Sequence, residues 1–166
     1  LEGERPDGMR EAIEAEQVFV NTGARPFVPP IPGLETVERT FCFQTLSDAS
    51  ALAEALRPES RVLILGAGLT GVKCAEGIRG LCAQIAIADL APRVLPAVLD
   101  DTAAAMVQAR MEEKGVRFYL NDSAAAFRGN TARLQSGTEL EFDVLVTAVG
   151  VRPNTQLVAD AGGAVD

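Results

Sequence analysis

Residues 61–89 constrain the fold more than any other part of the chain. The apolar run RVLIL is followed by the glycine turn GAGLTG at residues 66–71, by a helical pattern, and by a second apolar run that ends at Asp89. A glycine turn between a strand and a helix is typical of the first βαβ unit of a nucleotide-binding sheet. The alternation of apolar strands and helices therefore predicts an α/β fold, a Rossmann-like parallel sheet with helices on both faces.

The rest of the chain supplies further elements to this sheet. Ser47 is predicted to cap a helix that runs to about Leu56, and another helix follows Asp100 and Asp101. The runs VRFYL and FDVLVTAVG predict two more strands. Turn signals at residues 129–130 and 136–137 predict a small antiparallel β-meander inserted between those two strands. Near the N-terminus, QVFVN at residues 17–21 predicts a short buried strand before a proline-rich connector.

Charge and composition exclude several classes of function. The formal net charge is −8, which argues against nucleic acid or an anionic membrane as a partner. The chain has no histidine, so Cys–His metal sites and histidine acid–base chemistry are excluded. Its three cysteines form no CxxC pair, and no apolar run is as long as a membrane span. We therefore predict a cytoplasmic protein without a metal site.

Each glycine of the turn has a physical role in binding a dinucleotide. Gly66 permits a tight turn, Gly68 lets the pyrophosphate approach the backbone, and Gly71 lets the helix pack closely on the sheet. Asp89 stands where an acidic side chain accepts hydrogen bonds from ribose hydroxyls. Leu90 follows it in place of a phosphate-binding arginine. This pattern predicts NAD(H) rather than NADP(H). The alternative is a tight βα turn that binds nothing, or binds another nucleotide.

Three segments together resemble the FAD/NAD(P)-dependent pyridine nucleotide–disulfide oxidoreductase superfamily. They are VFVNTGARPFVPPIPG, the GAGLTG unit with IADLAPRVLP after it, and LVTAVGVRPNT. The glycine unit is most similar to the nitrite-reductase/NADH-oxidase/rubredoxin-reductase-like branch. The resemblance implies the NAD(H)-binding domain of a longer FAD-dependent oxidoreductase, which positions nicotinamide for hydride transfer to flavin. It also implies that this chain alone is inactive, with the remainder of the FAD domain and an unidentified electron acceptor as partners.

The resemblance also implies domain limits and site residues. Residues 1–40 would be a partial strip of the FAD domain with its connector, residues 41–150 the NAD(H)-binding domain, and residues 151–166 a return segment. Thr22, Gly23 and Arg25 would contact FAD in the intact enzyme, and no residue of this chain would be catalytic. The residues expected to hold NAD(H) are Gly66, Gly68, Leu69, Thr70, Gly71, Asp89, Leu90, Val149 and Gly150.

The sequence departs from the family pattern at two positions. Many members carry Tyr or Phe where Leu69 stands, and many carry Glu where Lys73 stands. Lys73 could lie near the nicotinamide, or could be an ion-paired lysine on the helix surface. Cys74 and Cys82 have apolar neighbours, which favours a packing role over a redox role.

Two other classes of function compete with the oxidoreductase hypothesis. One is a non-catalytic NAD(H)-sensing module, and the other is a Rossmann-fold enzyme that acts on a different nucleotide, such as a methyltransferase. The proline-rich connector and the TGARP segment argue against a stand-alone sensor. The predicted meander and the VRPNT segment argue against a methyltransferase.

Overall fold

The computed structural model describes residues 2–165, which form twelve strands and four α-helices. The strands are β1 (Glu2–Glu4), β2 (Arg10–Ala12), β3 (Ala24–Pro26), β4 (Thr40–Cys42), β5 (Arg61–Leu65), β6 (Gln84–Asp89), β7 (Val116–Leu120), β8 (Ala124–Arg128), β9 (Thr131–Leu134), β10 (Glu139–Glu141), β11 (Val144–Thr147) and β12 (Val151–Pro153). The helices are α1 (Leu46–Ala55), α2 (Leu69–Ile78), α3 (Asp101–Glu112) and α4 (Gln156–Asp160), with a 3₁₀ turn at Leu34–Thr36. None of these described helices is both long enough and apolar enough to pass through a bilayer.

The chain divides into two compact units. The larger unit is Pro26–Arg152, and the described part of the smaller unit covers residues 2–25 and 153–165. The larger unit is built on a parallel sheet with the strand order β4-β11-β5-β6-β7. The chain runs outwards from β5 through β6 to β7, whereas β11 and β4 lie on the other side of β5. The strand order therefore reverses between β5 and β11, which is where open α/β sheets bind ligands.

Both faces of the parallel sheet are buried, and different layers cover them. Val62 and Ile64 of β5 pack in one apolar cluster with Leu52 of α1, Cys74 of α2 and Ala104 of α3. The alternate residues of β5, Leu63 and Leu65, pack in a second cluster with residues of β8 and β9. The three helices therefore lie on one face and the meander covers the other.

This arrangement confirms the α/β class, the parallel sheet and the antiparallel meander, and it corrects one detail. The sequence predicted helices on both faces, but helices α1, α2 and α3 share one face. The reason is physical: β5 is apolar at four successive positions, so its sequence shows that both faces are buried without showing what covers each of them.

The meander is a three-stranded antiparallel sheet with the order β10-β9-β8. Phe127 of β8 and Phe142, which follows β10, meet edge to face with their ring centroids 5.9 Å apart. Both rings are buried beside Ala132 and Leu134 of β9. This small aromatic core attaches the meander to the sheet.

The N-cap of helix α1 lies two residues before the predicted cap. Thr45 is the N-cap: its hydroxyl accepts a hydrogen bond from the backbone N–H of Asp48 at 3.1 Å, and the Asp48 carboxylate accepts one from the N–H of Thr45 at 2.8 Å. This reciprocal capping box satisfies two backbone donors, whereas a cap at Ser47 would satisfy one. The predicted cap at Ser47 is therefore wrong. Helix α3 begins next to Asp100 and Asp101 as predicted, and the structure shows that Asp100 is its N-cap.

The smaller unit differs most from the sequence-based expectation. Strands β1 and β2 pair as an antiparallel hairpin, on which Arg5 forms an ion pair with Glu11 at 2.7 Å. The strand predicted at residues 17–21 is wrong, because those residues form no strand and the Phe19 side chain is fully exposed. A strand needs a neighbour to receive its backbone hydrogen bonds, and none of the described strands pairs with this segment.

The capping box of α1 can be tested with a matched pair of substitutions. Thr45→Ala removes the hydroxyl that caps the helix, so we expect the free energy of unfolding to fall by about 0.5–2 kcal/mol. Ser47→Ala, two residues further along the chain, should change it by less than about 0.5 kcal/mol. Urea denaturation of both variants measures the difference. A larger loss of unfolding free energy for Ser47→Ala than for Thr45→Ala would instead identify Ser47 as the N-cap, as the sequence predicted.

Candidate functional site

A cavity of about 410 Å³ opens at the carboxyl ends of β5, β6 and β11. Eight of the nine residues predicted to hold NAD(H) line it, all except Gly71. The structure therefore gathers into one place residues that are as far apart in sequence as Gly66 and Gly150. Four residues that the sequence did not single out also line the cavity, and they are Ala88, Pro96, Ser123 and Ala148.

The glycine turn is closely packed at two positions and open at the third. A Cβ atom on Gly66, whose φ is 109°, would lie 2.5 Å from the carbonyl oxygen of Ala148. A Cβ atom on Gly71 would lie 1.9 Å from the carbonyl oxygen of Gly66. By contrast, no described atom lies within 4 Å of a Cβ built on Gly68. Gly66 and Gly71 are therefore needed by the fold, whereas the space beside Gly68 is open to a ligand.

The N-terminus of α2 faces this open space. Gly68 is its N-cap and has no side chain to accept hydrogen bonds from the first turn, and no acidic residue stands in that turn. The first N–H groups of a helix have no partner within the helix, and together they carry a partial positive charge. This end of α2 is therefore suited to an anion such as a pyrophosphate group.

Asp89 joins the glycine turn to the end of β6. One carboxylate oxygen accepts a hydrogen bond from the N–H of Ala67, and the other accepts one from the N–H of Ala91 at 2.7 Å. A carboxylate oxygen can accept more than one hydrogen bond, so these contacts orient Asp89 and leave acceptor capacity for a ligand. Leu90, beside it, is exposed on the rim.

In the smaller unit, the predicted flavin-contacting residues meet a segment from the other end of the chain. The Thr22 hydroxyl donates a hydrogen bond to the carbonyl of Asn154 at 2.6 Å, and the Asn154 amide donates one to the carbonyl of Thr22 at 2.9 Å. The backbone N–H of Asn154 also donates to the carbonyl of Gly23. Three hydrogen bonds thus join Thr22 and Gly23 to Asn154. Arg25 is exposed.

Lys73 lies on the surface of α2, whereas Cys74 and Cys82 pack in or against the apolar core. The Lys73 ammonium lies 2.6 Å from the Glu76 carboxylate in an exposed ion pair, which fits the interpretation of Lys73 as a surface lysine. Cys74 is fully buried in the core, and burial raises the pKa of its thiol to about 12. Burial also raises the pKa of Cys82. A thiol that stays protonated is a poor nucleophile, which agrees with the predicted packing role of both cysteines. Within residues 2–165, no three acidic or cysteine side chains gather as a metal site would require.

Comparison with known proteins decides the family. A family model described as "Pyridine nucleotide-disulphide oxidoreductase" matches residues 2–166, almost the entire chain. The chain belongs to this family. The superfamily resemblance inferred from the three segments is therefore confirmed.

Individual relatives agree with this assignment. A nitrite reductase [NAD(P)H] of Bacillus subtilis is 32% identical over 151 residues, which cover 89% of this chain and 19% of the relative. An NADH oxidase of Methanocaldococcus jannaschii is 30% identical over 161 residues, or 94% of this chain and 36% of the relative. The solved structure of an NAD-dependent persulfide reductase from A. fulgidus superposes with a TM-score of 0.83 at 28% identity, covering 97% of this chain and 30% of that one.

These relatives are much longer than the chain. It spans between about a fifth and a little over a third of the length of the nitrite reductase and the NADH oxidase. A nitrite reductase and an NADH oxidase are among the kinds of enzyme that the glycine unit resembles.

The close approach at Gly71 can be tested within a single helix. Gly71→Ala places a methyl group against the Gly66 carbonyl, so we expect the free energy of unfolding to fall by about 1–3 kcal/mol or more. Gly77→Ala, on the exposed side of the same helix, meets no described atom and should raise it by about 0.5–1 kcal/mol. Urea denaturation of the two variants measures the change in the free energy of unfolding, which should be negative for Gly71→Ala and positive for Gly77→Ala. If the two variants had the same free energy of unfolding, the turn would have room for a methyl group at Gly71.

Proposed function

We propose that the unit Pro26–Arg152 binds NAD(H) and positions its nicotinamide for hydride transfer to a flavin, within a longer FAD-dependent oxidoreductase. One observation carries the proposal: the open glycine turn, the uncapped end of α2 and the Asp89 carboxylate all border a single cavity. Its volume of about 410 Å³ lies within the range of roughly 300–1,000 Å³ that is usual for small-molecule sites. Membership of the family supports the same function.

The residues that border the cavity suggest how the dinucleotide lies. Asp89, at the end of β6, would accept hydrogen bonds from the adenosine ribose. The uncapped N–H groups after Gly68 would bind the pyrophosphate. Val149 and Gly150, which follow β11, would then border the nicotinamide. The adenosine would thus lie on the β6 side of the point where the strand order reverses, and the nicotinamide on the β11 side.

The charge of the cavity supports NAD(H) over NADP(H). Asp89 carries a negative charge, and none of the described residues that line the cavity carries a positive one. A 2′-phosphate would lie beside this carboxylate and would be repelled by it. Leu90, the next residue, offers the phosphate no hydrogen bond.

The smaller unit supports a flavin partner. Thr22, Gly23 and Arg25 would contact FAD when the remainder of the FAD domain is present. Val18, Phe19 and Val20 are exposed apolar side chains, and an apolar patch of this kind usually marks a surface that another part of the protein covers. The bound cofactors would supply the redox chemistry, so residues of this chain would bind and orient them without acting as an acid or a base.

The role of Asp89 in cofactor choice can be tested by binding measurements. Asp89→Asn keeps an acceptor oxygen but removes the charge, so we expect NADH binding to weaken by about 1–2 kcal/mol. NADPH binding should change less, because the repulsion of its 2′-phosphate is relieved. The change in nicotinamide fluorescence during titration gives both dissociation constants.

A matched variant controls for the overall change in charge. Glu54→Gln alters the net charge by the same amount at an exposed position of α1, outside the cavity, and should leave both affinities unchanged. NADPH binding by the unsubstituted chain that equals or exceeds NADH binding would contradict the proposal.

The flavin partner can be tested on the full-length gene product that contains this chain. We expect that product to hold FAD and to lose its visible flavin absorbance when NADH is added without oxygen. With Asp89→Asn, a higher NADH concentration should be needed for the same rate of reduction. A full-length product that binds NADH but contains no flavin would instead support an NAD(H)-sensing module.

A further inference from the structure

The turn between β7 and β8 lies directly against the loop that follows Asp89. The backbone N–H of Asn121 donates a hydrogen bond to the carbonyl of Ala91 at 3.0 Å, and the N–H of Asp122 donates one to the carbonyl of Asp89 at 3.0 Å. The second contact is part of an antiparallel bridge between Asp89 and Asp122. Asn121 has a left-handed backbone, with φ of 54°, which turns the chain sharply at this point.

The buried side chain of Asp122 holds this turn in place. It is buried, with 8% of its surface exposed, and one carboxylate oxygen accepts hydrogen bonds from the backbone N–H groups of Ser123 at 2.9 Å and Ser136 at 3.2 Å. Burial by itself would raise the pKa of Asp122, but hydrogen bonds from Ser136 and Ser123 outweigh burial and lower it. The ionised carboxylate therefore links the β7–β8 turn to the β9–β10 turn of the meander, while the backbone N–H of Asp122 joins the β7–β8 turn to Asp89.

Ser123 is the residue that this arrangement presents to the cavity. It lines the same cavity as Asp89 and is half-buried. Its backbone is engaged at both ends, since its N–H donates to Asp122 and its carbonyl accepts from Gln135 at 2.9 Å. Its hydroxyl forms no hydrogen bond with any residue in the described part of the chain. A hydroxyl that has no hydrogen-bond partner among the described residues and is carried on a fixed backbone is well suited to binding a polar ligand.

The strand order shows which end of the dinucleotide Ser123 would meet. β7 is paired with β6 on the side away from β5 and β11. Ser123 therefore lies beyond Asp89, on the side opposite the residues after β11 that we assign to the nicotinamide. A serine hydroxyl both donates and accepts, so it can pair with a ribose hydroxyl or with a ring nitrogen of adenine.

We propose that the Ser123 hydroxyl is a further binding residue for the adenosine end of the nucleotide, and that Asp122 is a positioning residue that holds Ser123 beside Asp89. This inference rests on the NAD(H)-binding function proposed above. It gives the meander a role in the site, because one of its turns, at Ser136, shares the Asp122 carboxylate with the turn that carries Ser123.

Ser123→Ala tests the direct contact. It removes only the hydroxyl, and we expect the affinities for NADH and for ADP-ribose, which lacks nicotinamide, to fall together by about two- to tenfold, the effect of one lost hydrogen bond. Ser50→Ala makes the same chemical change on the exposed surface of α1 and should leave both affinities unchanged. Isothermal titration calorimetry measures the dissociation constants of both ligands for the two variants and for the unsubstituted chain.

The outcomes separate this inference from the proposed function. If the unsubstituted chain binds neither NADH nor ADP-ribose, the proposed function itself fails. If it binds both and Ser123→Ala changes neither affinity, the function stands and the Ser123 contact is overturned. A loss of NADH affinity with unchanged ADP-ribose affinity would place Ser123 at the nicotinamide end, which would also overturn the inference.

A double-substitution cycle tests Asp122 as a positioning residue. Asp122→Asn keeps an acceptor oxygen for both N–H groups and should retain most of the ADP-ribose affinity, whereas Asp122→Ala should reduce it about as much as Ser123→Ala does. Asp122 would act through Ser123. The double variant Asp122→Ala/Ser123→Ala should therefore bind ADP-ribose as tightly as the single variant with the lower affinity. A merely structural role would lower the melting temperature and leave the two losses of affinity multiplicative, which would overturn the positioning role.

Discussion

The close backbone contact between Gly66 and Gly71 is the constraint on which the rest of the structure depends. No side chain fits between the Gly71 Cα atom and the Gly66 carbonyl, or between the Gly66 Cα atom and the Ala148 carbonyl. These contacts let α2 start directly above the end of β5 and hold β5 close to the segment after β11. The same turn leaves the space beside Gly68 open, so the packing requirement and the ligand site arise from one short loop.

The second organising feature is the burial of the parallel sheet on both faces. Helices α1, α2 and α3 cover one face with small and branched apolar side chains, while the meander covers the other with Phe127 and Phe142. The meander also reaches the edge of the sheet where the cavity opens. Through the Asp122 carboxylate, its β9–β10 turn is tied to the residues that border the cavity, so the insertion both covers the sheet and supports the site.

Much of the candidate site was predictable because it lies in a local motif. Gly66, Gly68 and Asp89 have roles that follow from a turn and two strand ends, and the structure brings them to one cavity. Gly71 was predicted to allow close packing and to hold cofactor; the structure shows the close packing, and Gly71 is not among the residues that line the cavity. Ser123 carries no sequence signal of its own, because its position follows from the pairing of β7 with β6. The contact of Thr22 with Asn154 joins residues 132 positions apart and could only be suggested by the family resemblance.

The sequence by itself determined the class of fold, the position of the glycine turn and the family, because these depend on local periodicity and on residues close together in the chain. Only the tertiary structure decided that the helices share one face, that Thr45 and not Ser47 caps α1, and that residues 17–21 form no strand. Each of these depends on which partner is near: a covering layer, a reciprocal carboxylate or a neighbouring strand. The presence of an apolar or capping residue indicates that it needs a packing or hydrogen-bonding partner. The identity of that partner depends on the tertiary fold.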